Sequence, residues 1–222
     1  FASRFGPVAP GMVNAQDEPA PGITVVNSLY SKKFTDKWHT DHTWSECPPM
    51  AAMLHAIEVP SVGGDTLWAN MAAAYEALSA PIQAMLDGLT ATHSAEALMR
   101  IFADAKMNFS YSMDHSAATV HPVVRVHPDT GQKILFVNAN FTTRILELGE
   151  TESRAVLDFL FEHMRSTHFQ CRVTWQRDTV VLWDERSTHH FAMPDYDEPR
   201  ILHRLMIDGD KPISARRVPL AA

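Results

Sequence analysis

Short apolar or alternating runs, each bounded by turn residues, recur along most of the chain. Such runs predict β-strands, because successive side chains of a strand point to opposite faces of a sheet. The runs cover residues 23–30, 51–59, 66–70, 89–93, 120–126, 133–137, 169–175, 179–183 and 200–206. Many short strands spread along one chain predict a sandwich or a jelly roll rather than a parallel sheet.

Two stretches carry the signals of helices. Ser79 is the predicted N-cap of a short helix that begins near Pro81 and ends at Gly88. Thr151 is the predicted N-cap of a longer helix, whose apolar positions recur at helical spacing: Val156, Leu157, Leu160, Phe161 and Met164. Pro, Asp and Gly within 127–131 predict a hairpin turn between the strands on either side. The expected fold class is therefore mainly β with flanking helices.

The length favours a single domain, 1–222. The chain has 222 residues, and no repeat, low-complexity tract or linker interrupts it. Residues 1–6 have the pattern of the last turn of a helix that ends at Gly6. We therefore expect the natural chain to contain further elements before Phe1.

The charge and the cysteines restrict the class of protein. The net charge is −7 and Lys and Arg are scattered, so nucleic acid is not an expected partner. No apolar run approaches the roughly 18 residues of a membrane span, so a membrane is not expected either. Cys47 and Cys171 lie far apart without a CxxC motif, which is typical of reduced thiols in a cytoplasmic protein.

No GxGxxG or P-loop motif is present, which disfavours dinucleotide and P-loop chemistry. Two groups of histidines are the main candidates for a catalytic or metal site. His39 and Asp41 are two residues apart, so in an extended segment an imidazole and a carboxylate point to one place. A distant histidine, from the pair His189 and His190, would complete a 2-His-1-carboxylate triad. That triad suits non-haem Fe(II).

Two arginines follow the second histidine group. Arg200 and Arg204 lie on one face if their segment is a strand. A buried guanidinium needs an anion, and its planar donors fit a carboxylate in bidentate fashion. The alternative is that both arginines form salt bridges at the rim with Asp195, Asp197 and Glu198.

Six segments occur in a recognisable order. They are 39–41 (HTD), 63–70 (GGDTLWAN), 121–125 (HPVVR), 136–138 (FVN), 141–144 (FTTR) and 190–204. Together they resemble the taurine dioxygenase family of Fe(II)/2-oxoglutarate-dependent oxygenases, which includes chlorophenoxyacetate and alkylsulfate dioxygenases. The resemblance runs from about residue 4 to residue 212 and implies a double-stranded β-helix, or jelly-roll, core. It also implies that an N-terminal strand-and-helix segment of the family is missing here.

The resemblance implies a site for iron and a site for 2-oxoglutarate. His39, Asp41 and His190 correspond to the iron ligands, and His190 rather than His189 fits the family's register. Thr66 and Arg200 correspond to the residues that bind the distal carboxylate of 2-oxoglutarate. An arginine and a hydroxyl suit that carboxylate chemically.

The resemblance further implies the kind of substrate. Arg204 corresponds to the residue that meets the substrate's anionic group, such as a sulfonate, a sulfate or a carboxylate. His42 and Trp44 are expected to face the substrate, with packing in the core as the alternative for Trp44. Residues 99–118 correspond to the family's variable lid, with a disordered loop as the alternative. The implied reaction uses O2 to hydroxylate a C–H bond, releasing succinate and CO2, and the implied assembly is a homodimer or homotetramer.

Two other functions remain open. In a metal-dependent hydrolase, His39, Asp41 and His190 would bind zinc and activate water. That function leaves Thr66 and Arg200 without a role. The other is a non-catalytic jelly-roll module that binds a ligand.

Overall fold

The computed structural model describes residues 1–10, 19–28, 37–104 and 118–216, and strands predominate in them. The strands are β1 (Thr24–Asn27), β2 (Ala51–Glu58), β3 (Thr66–Asn70), β4 (Thr90–His93), β5 (Thr119–Pro122), β6 (Val124–Val126), β7 (Lys133–Leu135), β8 (Thr142–Ile145), β9 (Gln170–Val173), β10 (Val180–Asp184), β11 (Thr188–Ala192), β12 (Ile201–Ile207) and β13 (Ile213–Ser214). The helices are α1 (Met71–Glu76), α2 (Ala80–Leu86), α3 (Glu96–Asp104) and α4 (Glu150–Met164), with 3₁₀ turns at Ala2–Arg4 and Thr167–Phe169.

A four-stranded antiparallel sheet forms one layer, in the order β1, β12, β2, β10. The register pairs Leu202 with Ala56 and Met206 with Ala52. These side chains share one face because residues two or four apart on a strand point the same way. All four are buried, so this face is the core face of the sheet.

A second antiparallel sheet, in the order β11, β3, β9, shares this core. Three buried tryptophans lie within this shared core: Trp68 of β3, Trp183 of β10 and Trp175, just after β9. The ring centroid of Trp68 is 5.4 Å from that of Trp183 and 6.3 Å from that of Trp175. The two sheets therefore enclose one core between β3 and the inner face of β2 and β12.

Two further three-stranded sheets and the helices form the other part of the molecule. One sheet has the order β13, β6, β7, and the other β5, β4, β8. A second apolar cluster joins strands of both sheets to α1 and α4. On α4 the residues Leu157, Leu160 and Met164 are buried, as their helical spacing predicts. The expected class, mainly β with flanking helices, is confirmed.

The predicted strand 120–126 is divided in the structure. Thr119–Pro122 pairs with β4, whereas Val124–Val126 pairs with β7 across the predicted hairpin. Pro122 has no N–H to give to a ladder, and proline is typical of strand ends for this reason. The hairpin prediction is therefore confirmed only for Val124–Val126, the second half of the first predicted strand.

The two predicted helices are present, with one wrong cap. Pro81 lies in the first turn of α2, after the N-cap Ser79. The longer helix has Gly149 as its N-cap rather than Thr151. The Gly149 N–H donates to Glu152 Oε2 at 2.8 Å, so a side chain inside the first turn satisfies the backbone group, as in a capping box.

The helices α1 and α3 were not predicted. The helix α3 occupies the first part of 99–118, the segment predicted to be a lid or a disordered loop. Residues 105–117 of that segment lie outside the described residues. Among the helices that the structure describes, none is long and apolar enough to cross a bilayer. Cys47 and Cys171 are both free thiols.

Candidate active site

His39 and His190 are neighbours because two distant segments pair at this point. The His39 N–H donates to the His190 carbonyl at 3.2 Å, and the His190 N–H donates to the His39 carbonyl at 2.7 Å. One potential ligand atom from each of His39, Asp41 and His190 lies within 4.8 Å of the others. Within the described ranges this is the one cluster of its kind. The structure thus brings together the three predicted metal ligands, and the neighbouring His189 is not among them.

The hydrogen bonds of His39 show which atom faces Asp41. His39 Nδ1 lies 2.7 Å from the Lys37 carbonyl oxygen. Because a carbonyl only accepts, Nδ1 carries the hydrogen and Nε2 presents a lone pair. Nε2 is 3.6 Å from Asp41 Oδ1, which is too long for a hydrogen bond. A lone pair and a carboxylate oxygen therefore face each other, as the ligands of a cation do.

The charge states also fit a metal. Burial, and then the proximity of His39, lower the pKa of His190 to about 3. Burial opposes the ionisation of Asp41, but Arg204, and then His190 and His39, hold the pKa of this carboxyl well below its usual range. Two imidazoles and one carboxylate are the donors of the facial triad that binds Fe(II). The residues present fit that metal.

A second polar group lies where Arg200, before β12, reaches the start of β3. Arg200 Nε donates to the Gly64 carbonyl at 2.8 Å, and Nη2 donates to Thr66 Oγ1 at 3.0 Å. Trp175 Nε1 donates to the same oxygen at 3.0 Å. The Gly64 backbone has φ +71°, and a Cβ there would lie 3.2 Å from Arg200 Cδ. The glycine thus allows the arginine to approach the backbone closely.

Arg204, on β12, reaches the triad. Its Nη1 donates to Asp41 Oδ2 at 2.8 Å, the carboxylate oxygen other than the one that faces His39. The arginine predicted to meet the substrate's anion therefore contacts a predicted iron ligand. Both arginines thus donate hydrogen bonds within the site, Arg200 to Gly64 and Thr66 and Arg204 to Asp41. They are not limited to salt bridges at its rim.

His42 and Trp44 lie beside the triad in sequence and are both buried. His42 has a positive φ of 52°, and burial lowers its pKa to about 4. The ring centroid of Trp44 is 4.6 Å from that of His42 and 4.7 Å from that of Phe141. Trp44 belongs to a small apolar cluster, which supports the alternative that it packs in the core.

Glu185 is a buried acid that the sequence analysis did not single out. It accepts hydrogen bonds from Thr40 Oγ1, from the Asp41 N–H at 3.1 Å and from Trp183 Nε1 at 2.9 Å. Its Oε1 lies 3.9 Å from His190 Nδ1. Burial, and then Asp41, raise the pKa of Glu185 to about 8. One signal existed, because Glu185 follows an apolar strand and shares the face of buried Trp183.

The whole arrangement matches a known family. The family model described as "Taurine catabolism dioxygenase TauD, TfdA family" matches residues 1–206. The chain belongs to this family. Its similarity to a taurine dioxygenase structure from Burkholderia xenovorans extends over 96% of this chain and 72% of that one, with 33% identity and a TM-score of 0.79. The predicted jelly-roll core is thereby confirmed.

Two further proteins are similar to this chain. An alpha-ketoglutarate-dependent sulfate ester dioxygenase of Pseudomonas putida is 36% identical over 185 residues, which are 80% of this chain. The chain spans 61% of the length of that relative. The crystal structure of AAD-2 with Mn(II) and N-oxalylglycine has a TM-score of 0.72 at 27% identity, covering 86% of this chain and 73% of that one.

Proposed function

We propose that the chain is an Fe(II)- and 2-oxoglutarate-dependent dioxygenase that hydroxylates a C–H bond of a small anionic organic substrate. The observation that carries this proposal is the spacing between the triad and the Thr66–Arg200 group. In the register of β3 with β11, His190 pairs with Trp68 and Ala192 pairs with Thr66. Thr66 therefore lies two residues, or about 7 Å, along β3 from the position opposite His190. A five-carbon dicarboxylate has a length of this order.

The proposed roles follow from this spacing. His39, Asp41 and His190 would hold the metal, while Arg200 and Thr66 would hold the distal carboxylate of 2-oxoglutarate. When bound, Fe(II), 2-oxoglutarate and O2 supply the oxidising chemistry, with release of succinate and CO2. The residues of the chain bind and orient these groups, Arg200 through a charge-assisted pair. The AAD-2 complex supports the proposal, because N-oxalylglycine is an isostere of 2-oxoglutarate.

The proposed substrate is a sulfonate, an alkyl sulfate or a carboxylate of the aryloxyalkanoate type. Arg204 would pair with its anionic group, and the contact of Arg204 with Asp41 supports a position next to the metal. The names of the relatives, among them a sulfate ester dioxygenase and a taurine dioxygenase, support this class. His42 remains a proposed substrate contact, and for Trp44 the apolar cluster around it supports the alternative of packing in the core.

The zinc hydrolase has no role for the buried Arg200–Thr66 group. A non-catalytic module could use that group to bind a ligand, and succinate release distinguishes the enzyme from such a module. We also propose a cytoplasmic location, which the free thiols Cys47 and Cys171 support. A homodimer or homotetramer stays a prediction from the family resemblance.

The test is an anaerobic titration of the metal-free protein with Fe(II) and 2-oxoglutarate. We expect a weak metal-to-ligand charge-transfer band in the visible spectrum, and its loss in His190→Ala. The matched control is His189→Ala, which removes the neighbouring buried imidazole and should keep the band. Screening anionic substrates by succinate release then identifies the substrate. Absence of the band in the wild type, together with tight zinc binding, would favour the hydrolase.

A further inference from the structure

The hydroxyl of Thr66 has both of its acceptor positions filled. Arg200 Nη2 and Trp175 Nε1 each lie 3.0 Å from Thr66 Oγ1. A guanidinium and an indole can only donate, and a hydroxyl offers two lone pairs and one hydrogen. Thr66 Oγ1 must therefore accept both bonds, and no choice of tautomer or rotamer changes this assignment.

The hydrogen of the Thr66 hydroxyl is left for a further acceptor. Thr66 is 1% exposed and Trp175 is 5% exposed, so bulk water does not surround this oxygen. No described residue accepts a hydrogen bond from Thr66. A buried hydroxyl whose hydrogen has no acceptor is costly. The group is thus built to receive a ligand atom that accepts.

We propose that Trp175 is a positioning residue, which orients the Thr66 hydroxyl so that it can only donate and thereby selects a carboxylate over an amide at the distal end of the keto acid. This inference rests on the proposed function, since it concerns the 2-oxoglutarate pocket. Arg200 supplies the charge, and Trp175 removes the freedom of the hydroxyl to turn. The ligand then meets a pre-oriented donor and does not lose affinity in ordering it.

The substitution Trp175→Phe removes the N–H and keeps an aromatic ring. One acceptor position of Thr66 becomes free, so the hydroxyl can rotate and can accept from an amide N–H. In Mn(II)-loaded protein we expect calorimetry to give a dissociation constant for 2-oxoglutarate about three- to tenfold higher. The preference for 2-oxoglutarate over its distal amide, 2-oxoglutaramate, should fall as well.

Trp68→Phe is the matched control. Trp68 lies in the same apolar cluster and is equally buried, but its Nε1 has no hydrogen-bond partner. The control therefore loses an indole of the same core without losing a hydrogen bond. Its dissociation constant should stay within about twofold of the wild type, because rotation of Thr66 is unaffected.

A double-mutant cycle separates Thr66 from Arg200, because the Arg200 guanidinium carbon also lies 5.9 Å from the centroid of the Trp175 ring. If Trp175 acts through the hydroxyl, Trp175→Phe has little further effect in a Thr66→Val background. A full and additive effect in that background would contradict the inference. A Trp175→Phe protein that binds like Trp68→Phe would contradict it too.

A second measurement leaves Trp175 in place, in case Trp175→Phe does not fold. Thr66→Ser keeps the hydroxyl and should keep the preference for 2-oxoglutarate over 2-oxoglutaramate, whereas Thr66→Val should reduce it. An unchanged preference in Thr66→Val would overturn the inference. If Mn(II)-loaded wild type binds no 2-oxoglutarate at all, the proposed function fails as a whole. Binding by the wild type with unaffected variants removes only the role of Trp175.

Discussion

At the scale of single residues, the two arginines near β12 have separate partners. Arg200 donates to Gly64 and Thr66, whereas Arg204 donates to Asp41. Arg200→Ala should raise the dissociation constant of 2-oxoglutarate about 10- to 100-fold, because a charge-assisted bond is lost. In protein saturated with metal, Arg204→Ala should mainly raise the KM of the primary substrate. Calorimetry and succinate release measure the two effects, and equal effects of both variants on both ligands would contradict this division.

We expect His93 to contribute to the pH dependence of the free energy of unfolding in acid. It is fully buried, and burial, followed by His121, lowers its pKa from 6.5 to about 3. As the pH falls, the His93 imidazole is protonated in the unfolded chain before it is protonated in the folded protein. Its contribution to the free energy of unfolding is therefore fully present above pH 6.5 and is lost as the pH falls towards 3. His93→Gln should therefore reduce the pH slope of the unfolding free energy between these values by about 1.4 kcal/mol per pH unit. Urea unfolding at several pH values, with a chelator present, measures the slope.

Thr43→Val is the control for the His93 experiment. It removes the hydroxyl that lies 2.9 Å from His93 Nδ1 but leaves the imidazole. Its stability should be lower by a similar amount at every pH, with an unchanged slope. A slope in His93→Gln that equals the wild-type slope would show that other groups bind the protons.

Site residues that lie close together along the chain could be predicted from the sequence. Site residues that are recognisable only by their contact with a distant residue could not. His39 and Asp41 could be found because a two-residue spacing on extended chain brings side chains together. Glu185 contacts Thr40 across 145 positions of sequence, and Trp175 contacts Thr66 across 109. No local pattern contains such a pairing, because it exists only after the sheets have formed.

At the scale of elements, the cap of α1 connects a helix to the strand that carries Thr66. Asn70 ends β3, and its Oδ1 accepts from the N–H groups of Ala72 and Ala73 at 2.9 and 3.0 Å. Asn70→Ala should lower the free energy of unfolding by about 1 kcal/mol, because two helix N–H groups lose their acceptor. Asn70→Asp keeps the acceptor and is the control. Equal urea midpoints for the wild type and Asn70→Ala would contradict this role.

The helix α1 was missed for a physical reason. Four of its six residues, Met71, Ala72, Ala74 and Tyr75, are buried, so it lacks the polar face that gives a helix its period. A short apolar run directly after a strand has the pattern of more strand. The longer α4 has both faces, and its existence could be predicted although its first residue could not.

At the scale of the whole molecule, the site lies at the seam of the two sheets around the tryptophan core. Arg204 belongs to the four-stranded sheet and Arg200 directly precedes its strand β12, while Thr66 and His190 belong to the three-stranded partner sheet. The hydrogen bond of Arg200 with Thr66 already crosses the seam. A ligand that binds the metal at one end and Arg200 at the other would join both sheets again.

Ligand binding should therefore stabilise the molecule against global unfolding. Binding to the folded state alone adds RT ln(1 + [L]/Kd), or about 2.7 kcal/mol at a hundredfold excess over Kd. Mn(II) together with 2-oxoglutarate should raise the thermal midpoint of the wild type and of His189→Ala, but not that of His190→Ala, which lacks a metal ligand. Mn(II) alone should give a smaller rise, because it contacts only the triad. An equal rise of the thermal midpoint in His190→Ala would show that the stabilising metal binds elsewhere. Binding between the two sheets would then not explain the stabilisation.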